Sequence, residues 1–446
     1  MNTGGGKDLF SAACFIRRWF DCGKMADDCL GYRNPLQNCF KSNRSMKGVL
    51  PMNYSDMAQR AESYIIEQRR WFHRHPELSW EEFRTTDAIA SELENMGYQV
   101  HRYEGKPGCF ALLKGGKAGE HSKTVALRAD IDALPVEEKT GLPFASENKG
   151  VMHACGHDSH IAMLLGAARM LMDTRDELCG SVKLIFQAAE ETCHGSEFYV
   201  EQGILDDVDA IMGQHIWGTL DAPYLNVQSG PRMASCDNFT IRVEGISAHG
   251  TQPHLGVDAL VASASIILNL QTFVSRVNDP LNPLILSIGE MHAGQRFNII
   301  ANHAEMFGTV RTFHPKFRME IEGKMRKIIE NTAAAMGATA VLEYDYYPAP
   351  VINDDEDLNQ IARDAVVKLY GEESIQELPP MMGSEDFAYY SEKVPSVFGF
   401  LGSRDEKAGL TASNHNDHYT VPESVLKRGS ALYAQFAADY LAKNCR

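Results

Sequence analysis

One short segment, residues 153–158, concentrates residue types that bind metal ions. It reads His-Ala-Cys-Gly-His-Asp and precedes an apolar helical pattern. A cysteine thiolate and a neutral imidazole two positions apart on a loop can bind one ion, and this ligand pair suits zinc, cobalt or manganese. The segment therefore predicts a metal site at Cys155 and His157, whereas a buried thiol beside surface histidines is the structural alternative.

A pair of adjacent carboxylates, Glu190 and Glu191, follows the apolar run 182–188. Neighbouring side chains on an extended chain point to opposite sides, so one carboxylate can bind an ion while the other reaches a water molecule. A metal ion lowers the pKa of such a water, and the free carboxylate can pass its proton to a leaving nitrogen. The pair predicts metal-assisted hydrolysis, although adjacent carboxylates also occur as solvated surface pairs.

Single histidines add further candidate ligands. His215 lies at the end of a predicted strand, which is where open α/β sheets place their sites. Near the C-terminus the segment 414–418 reads Asn-His-Asn-Asp-His, and either His415 or His418 can supply one more ligand.

The elements that must hold these residues alternate between short apolar runs and helical patterns. Runs at 109–113, 124–127, 182–186 and 210–213 predict strands of a sheet that is covered on both faces. A helical pattern at 160–172 separates two of them. This alternation predicts an α/β fold with a mixed, mostly parallel sheet.

Near residue 233 the pattern changes to alternating apolar and polar positions. The order strand, helix, strand, strand, helix, strand, with an extended run at 297–300, predicts a ferredoxin-like βαββαβ unit. We therefore expect a catalytic domain formed by residues 55–232 and 346–446. Residues 233–345 are expected to form an inserted domain.

Composition excludes several classes of protein. The 446 residues are 44% hydrophobic and 23% charged with a net charge of −16, which argues against collagen-like, disordered and coiled-coil proteins and against nucleic acid or an anionic membrane as a partner. Apolar stretches such as 260–270 are shorter than the roughly 20 residues of a membrane helix.

Ten cysteines are scattered along the chain, and this pattern predicts reduced thiols in the cytoplasm rather than a disulfide framework. Residues 1–50 are expected to form a poorly ordered extension. A zinc site formed by the four cysteines of that segment is the alternative.

Taken in order, these motifs resemble the amidohydrolase branch of the aminoacylase and carboxypeptidase-G metallopeptidase family. That branch includes N-acyl-amino-acid, hippurate and auxin-conjugate hydrolases. The resemblance extends from about residue 56 to the C-terminus. The matching segments are 71–77, 127–135, 153–158, 187–191, 213–218, 308–313 and 383–387.

The resemblance implies a metal-dependent amidohydrolase that cleaves N-acyl amino acids with a water molecule activated by two divalent ions. Mn²⁺ is favoured, and Zn²⁺, Co²⁺ and Ni²⁺ are alternatives. Glu190 would be the general base, and Asp130 would be a carboxylate behind a histidine ligand. The implied metal ligands are Cys155, which would bridge the ions, and His157, Glu191, His215 and His415.

The resemblance also assigns roles to the inserted domain, which would act as a lid and join two chains in a homodimer. His249 would polarise the scissile carbonyl, in related enzymes often from the partner subunit. Asn298 and Arg311 would face the substrate, and Arg311 could hold its carboxylate. A surface salt bridge is the alternative for Arg311.

Two rival hypotheses remain open. Cys155 could act as a nucleophile with His157 as its base, although nucleophile and base normally come from separate segments. The second hypothesis is a dimeric homologue that binds metal or peptide and has no activity, although such a protein would have no need of Glu190.

Overall fold

The computed structural model describes residues 53–445, so the predicted extension at residues 1–50 lies outside the described residues. Two units with separate hydrophobic cores are present. The larger unit consists of residues 53–236 and 347–445, and the inserted unit of residues 237–346.

The larger unit takes its helices and strands from both ends of the described chain, and the inserted unit lies between them. The larger unit begins with α1 (Tyr54–Arg74), α2 (Phe83–Met96), β1 (Val100–Tyr103), β2 (Lys106–Lys114), β3 (Thr124–Asp130), α3 (His157–Asp173), β4 (Ser181–Gln187), α4 (Gly195–Glu201), β5 (Ala210–Asp221), β6 (Leu225–Asn226) and β7 (Gly230–Met233). The inserted unit contains β8 (Asp237–Glu244), α5 (Ala259–Thr272), β9 (Leu284–Ala293), β10 (His303–Thr312), α6 (Pro315–Ala335) and β11 (Thr339–Tyr346). The larger unit ends with β12 (Val351–Asn353), α7 (Glu356–Tyr370), α8 (Ala388–Ser391), β13 (Ser396–Arg404) and α9 (Leu426–Lys443).

The main sheet has seven strands in the order β1-β2-β4-β3-β5-β13-β6. Its four central strands, β4, β3, β5 and β13, are parallel, and the outer pairings are antiparallel. Every residue of β3 is buried because helices and loops cover both faces of the sheet. The predicted α/β fold with a mixed, mostly parallel sheet is confirmed.

The inserted unit has the βαββαβ element order that the sequence predicts. Its antiparallel sheet has the order β11-β8-β10-β9, and α5 and α6 pack on it. The predicted strand at 297–300 is wrong, because these residues form a loop that contributes a single bridge between His249 and Ile299. Strand β9 instead continues to Ala293.

The two linkers between the units run side by side. The first linker, between β7 and β8, carries Cys236, and the second, between β11 and β12, carries Pro348. The backbone N–H of Cys236 donates to the carbonyl of Pro348 at 3.1 Å. The chain therefore enters and leaves the inserted unit at one place.

One helical stretch among residues 53–445, Ala259–Val277, has the length and apolar composition of a membrane span. It contains α5, whose buried residues Ala262, Ile266 and Leu270 pack into the core of the inserted unit. The opposite side of this stretch exposes further apolar residues, among them Leu268, which is 70% exposed.

The prediction of reduced thiols is wrong at one pair of cysteines. Cys179 and Cys445 are joined in a disulfide, with Cα atoms 5.4 Å apart across a sequence separation of 266 residues. Spacing along the chain does not reveal such a contact, because it depends on α9 returning to the start of β4. The alternative zinc site in the first 50 residues lies outside the described part of the chain.

Candidate metal centre

The candidate ligands come from four separate parts of the larger unit. Cys155 lies in the loop before α3, and His157 is the first residue of that helix. His215 belongs to β5, Glu191 to the turn after β4, and His415 to the loop between β13 and α9. All of these positions lie at or near the carboxyl ends of the parallel strands, as open α/β sheets require.

The five side chains meet at the thiol of Cys155. Its Sγ lies 3.4 Å from Nε2 of His215 and 3.3 Å from Nε2 of His415. Glu191 Oε1 lies 3.5 Å from Nε2 of His415 and 3.9 Å from Nε2 of His157. Two groups of three ligand atoms, each within 4.8 Å of one another, share this sulfur: Cys155, His157 and His215 in one, and Cys155, Glu191 and His415 in the other.

This donor set fits divalent metal ions on two independent grounds. First, Nε2 of His157 and Oε1 of Glu191 are buried without a hydrogen-bond partner, although both face the cluster. Second, burial and the carboxylates of Glu191 and Glu190 raise the pKa of the Cys155 thiol well above its usual range. Cations at the cluster would pair with the orphaned atoms and favour the charged forms of the acids.

The pKa values of Glu190 and Glu191 also indicate that negative charge is crowded at this site. Burial and the neighbouring Glu385 raise the pKa of Glu190 well above its usual range. Burial also raises the pKa of Glu191 to about 7, although His157 opposes this shift. Both carboxylates therefore resist ionisation unless positive charge is brought in.

Glu190 and Glu191 do not lie on an extended chain, contrary to the expectation from the apolar run before them. They form a 3-10 turn that follows Ala189, whose φ is +61°. Both side chains still reach the cluster. Glu190 Oε2 and Glu191 Oε1 each lie 3.9 Å from Nε2 of His157, and Glu191 Oε1 also lies 3.5 Å from Nε2 of His415.

The carboxylate behind His157 is Asp132 rather than Asp130. Asp132 Oδ1 lies 3.1 Å from Nδ1 of His157, and its Oδ2 accepts a hydrogen bond from the backbone N–H of Glu191 at 2.9 Å. Asp130 instead lies 2.5 Å from Nδ1 of His160, and its nearest distance to Nε2 of His157 is 3.8 Å. Asp132 thus fixes the ring of one ligand and the backbone of another, and sequence reasoning missed it.

Two further groups support the site from behind. The buried Arg128 bridges the carboxylates of Glu385 and Asp386, at 3.0 Å and 2.9 Å from its Nη2. His160 receives a hydrogen bond on Nε2 from the backbone N–H of Ile216, the residue after His215. Their role depends on contacts between distant segments, which no local motif encodes.

Gly156 allows the loop to place Cys155 and His157 together. Its φ is +93°, which side chains rarely permit, and a Cβ there would lie 2.5 Å from Cγ2 of Ile216. Glycine between the two ligands is therefore required both by the backbone and by the packing against β5.

A cavity of about 420 Å³ opens above the cluster. Its remaining walls combine apolar and polar side chains. The lining residues are Cys155, Glu190, Glu191, Cys193, His215, Trp217, Thr219, Met233, Arg311, Gly383, Ser384, Glu385, Ser413, Asn414 and His415.

Of the residues of the inserted unit named from the sequence, Arg311 lines the cavity, whereas His249 and Asn298 do not. Arg311 Nη1 donates to Ser384 Oγ at 3.3 Å, and among residues 53–445 no carboxylate forms an ion pair with it. His249 is exposed, with Nδ1 2.8 Å from Thr251 Oγ1, and the carbonyl of Asn298 accepts from the N–H of Gly250.

The structure also distinguishes the two C-terminal histidines. His415 lies at the cluster, although its side chain is 56% exposed, and its φ is +69°. His418 is exposed and lies 2.6 Å from the carboxylate of Asp417, outside the cluster.

Comparisons with known proteins agree with this geometry. Residues 126–439 match the model of peptidase family M20/M25/M40. The chain is 39% identical to thermostable carboxypeptidase 1 of Saccharolobus solfataricus, over 86% of this chain and 96% of that protein. It is 41% identical to an N-acyl-L-amino acid amidohydrolase of Geobacillus stearothermophilus, over 66% of this chain and 78% of that protein. A dinuclear metal-binding peptidase of the M20 family from Bacillus subtilis superposes with a TM-score of 0.76 and 36% identity, covering 86% of this chain and 99% of that one.

Proposed function

The chain belongs to peptidase family M20/M25/M40 and is a hydrolase, and we propose that it cleaves the amide bond of N-acyl amino acids with two divalent ions. The observation that carries this proposal is the pair of candidate ligand groups that share the sulfur of Cys155, with the carboxylate of Glu190 beside them in the same cavity.

The proposed ion sites follow from those two groups. One ion would be held by Cys155, His157 and His215, and the other by Cys155, Glu191 and His415. Such ions, when bound, polarise a carbonyl group and lower the pKa of a water molecule. The resemblance to the family favours Mn²⁺, and the shared thiolate also suits Zn²⁺, Co²⁺ or Ni²⁺.

Glu190 is the proposed proton carrier. It lines the cavity, is buried, and accepts a hydrogen bond at Oε1 from the backbone N–H of Asp386 at 3.4 Å. We infer that its carboxylate takes a proton from the attacking water and delivers it to the leaving nitrogen. Its surroundings, which disfavour the charged form, suit a group that must hold a proton between the two transfers.

Arg311 is the proposed anchor for the carboxylate of the substrate. It faces the cavity without a carboxylate partner among the described residues, and the hydroxyl of Ser384 holds its guanidinium in place. A guanidinium can bind a carboxylate through two parallel hydrogen bonds. Trp217 and Met233 line the same cavity and offer apolar contact to an acyl group.

We propose that a second copy of the chain completes the site. His249 and Asn298 lie outside the cavity of their own chain, which fits residues that act in a partner. The exposed apolar residues of the inserted unit, Leu260, Val261 and Leu268, offer a surface for homodimer formation.

The test is hydrolysis of a panel of N-acetyl, N-benzoyl and indole-acetyl amino acids by the wild type and by Glu190→Ala, assayed anaerobically with Mn²⁺. We expect the wild type to release free amino acid. The variant should bind as much metal as the wild type while its kcat falls by about 10²–10⁴-fold, which is the usual contribution of a general base.

The two rival hypotheses give different results. A Cys155 nucleophile predicts activity that survives chelation with EDTA, whereas the proposed function predicts loss with EDTA and recovery on adding metal. If the chain is a binding protein without activity, neither the wild type nor Glu190→Ala should hydrolyse any member of the panel.

A further inference from the structure

A buried carboxylate outside the metal cluster reaches the backbone of the turn that carries Glu190. Glu82 is fully buried, and its Oε1 accepts a hydrogen bond from the backbone N–H of Ala189 at 2.7 Å. The two residues lie 107 positions apart in the chain. Ala189 is itself buried and immediately precedes Glu190. This contact therefore joins the start of α2 to the residue next to the proposed proton carrier.

The side chain of Glu82 does not serve its own helix. Glu82 is the residue before α2, a position from which side chains commonly accept hydrogen bonds from the first N–H groups of the helix. Glu82 forms no such side-chain bond. Its carbonyl instead accepts from the backbone N–H and the hydroxyl of Thr86, at 2.9 Å and 2.6 Å. The backbone of Glu82 thus supports α2, while its carboxylate supports the turn.

The turn needs this support because its backbone is strained. Ala189 has a φ of +61°, a left-handed conformation that costs free energy for any residue with a Cβ atom. Trp80, two residues before Glu82, has a φ of +68°. Without Glu82, the buried N–H of Ala189 would lose this acceptor, which is unfavourable away from water. The hydrogen bond therefore stabilises the backbone conformation from which Glu190 projects.

A second buried carboxylate holds the other side of the same turn. Asp132 Oδ2 accepts the backbone N–H of Glu191 at 2.9 Å, and the hydroxyl of Ser79 donates to the same oxygen at 2.7 Å. The N–H groups on either side of Glu190 thus bind separate carboxylates. Removal of Glu82 would leave Glu191 attached to Asp132, so we expect it to disturb Glu190 more than the metal ligands.

We propose that Glu82 is a positioning residue, which holds Ala189 so that the carboxylate of Glu190 reaches the attacking water. This inference rests on the proposed function, in which Glu190 carries the proton. The turn requires an acceptor oxygen from Glu82 rather than a negative charge, since the donor is a neutral N–H group.

The surroundings of Glu82 favour its neutral form. Burial and the carboxylate of Asp132 raise the pKa of Glu82 above its usual range. Its Oε2 is buried without a hydrogen-bond partner among residues 53–445. A charged oxygen left unpaired in this way is more costly than a neutral one. Glutamine, which is neutral and keeps an acceptor oxygen, should therefore replace Glu82.

The test compares three single variants with the wild type, each loaded with Mn²⁺. Glu82→Gln keeps the acceptor, Glu82→Met has a similar volume without one, and Glu81→Ala changes the exposed neighbour. We expect Glu82→Met to lower kcat by about 100-fold, because small displacements of a reacting group cost about that much. Its KM and metal content should not change. Glu82→Gln and Glu81→Ala should keep kcat close to that of the wild type.

Two further measurements separate positioning from a general effect on the fold. Glu82→Met introduced into Glu190→Ala should cause no additional loss of kcat, because it acts through a group that is already absent. Hydrogen–deuterium exchange of the N–H groups in residues 188–191, measured by mass spectrometry, should be faster in Glu82→Met than in the wild type or Glu82→Gln.

Equal losses of kcat in Glu82→Gln and Glu82→Met would overturn the proposal, as would a wild-type kcat in Glu82→Met or unchanged exchange at the turn. Should Glu82→Met be insoluble, Glu82→Asp, which keeps the charge but withdraws the oxygens, must show the same loss. A wild type that hydrolyses no substrate would count against the proposed function, while exchange at the turn would still decide whether Glu82 holds Ala189.

Discussion

His415 and His418 lie on one loop, and their side chains have different surroundings. Only His415 reaches the thiol of Cys155 and the carboxylate of Glu191. His418 is held by Asp417 at the surface. The sequence leaves the choice between them open, because a separation of three positions on an irregular loop does not determine which side chain reaches the cluster.

This difference predicts opposite results for two matched substitutions. His415→Ala should release one of the two proposed ions and lower kcat/KM by more than about 100-fold, since even the loss of a group behind a metal ligand costs about 10–100-fold. His418→Ala should retain the metal content and the activity of the wild type. Metal analysis together with steady-state kinetics measures both, and equal losses in the two variants would contradict the assignment.

The candidate site was largely predictable where its residues stand in short motifs. Cys155 with His157, and Glu190 with Glu191, are close in the chain, and so their common chemistry is visible in the sequence. Asp132 was missed because its neighbour Asp130 offers the same side chain two positions earlier. Which of the two lies behind His157 depends on how the chain turns after β3 ends at Asp130.

The helices behind the metal centre are held together by a buried ion pair. Arg69 of α1 donates from Nε to Asp158 of α3 at 2.8 Å, and His73 of α1 lies 2.9 Å from the same carboxylate. Burial opposes the charge on Asp158, but Arg69 and His73 outweigh it and hold the pKa of this carboxyl well below its usual range. Asp158 directly follows the proposed ligand His157, so this pair also fixes the start of α3.

Removing one partner should therefore destabilise the fold. Arg69→Ala is expected to lower the free energy of unfolding by about 3 kcal/mol, because it removes the guanidinium partner of a buried carboxylate and leaves that carboxylate to His73. Arg70→Ala removes the exposed neighbouring pair with Glu423 and should cost less than about 1 kcal/mol. Denaturant unfolding of the two variants gives this difference directly.

The same pair gives the stability a defined dependence on pH. The pKa of Asp158 is lower in the folded than in the unfolded chain, so its contribution is complete above the usual pKa of about 4 and is lost as the pH falls further. Wild-type stability should decline in that acidic range. A smaller decline for Arg69→Ala is expected, and an equal decline would contradict this role.

Strands and helices were predicted well where apolar periodicity is strong, as in β3 and α3. The run at 297–300 was mistaken for a strand because its residues are apolar, yet it folds as a loop beside His249. Phe297 is 96% exposed there, so an apolar side chain at this position does not indicate a buried strand of this chain. The Cys179–Cys445 disulfide escaped prediction for a related reason, since it depends on where α9 ends in three dimensions.

A homodimer with shared sites makes a prediction for the whole assembly. If His249 acts in the partner's cavity, Glu190→Ala and His249→Ala should each be nearly inactive alone. Mixed and refolded together, they should recover about a quarter of wild-type activity, because about half of the dimers are mixed and each mixed dimer has one intact site. Gel filtration of the mixture verifies the dimer, and no recovery in confirmed mixed dimers would exclude a role for His249 across the interface.

The adjacent linkers at Cys236 and Pro348 have a consequence for how this architecture could arise. The main sheet and its helices form a closed core that does not use any residue of the inserted unit. Since the chain departs and returns at neighbouring points, a short turn could replace everything between them without displacing a strand. One insertion into an ancestral single-unit hydrolase would suffice to add the second unit, and a single deletion would remove it.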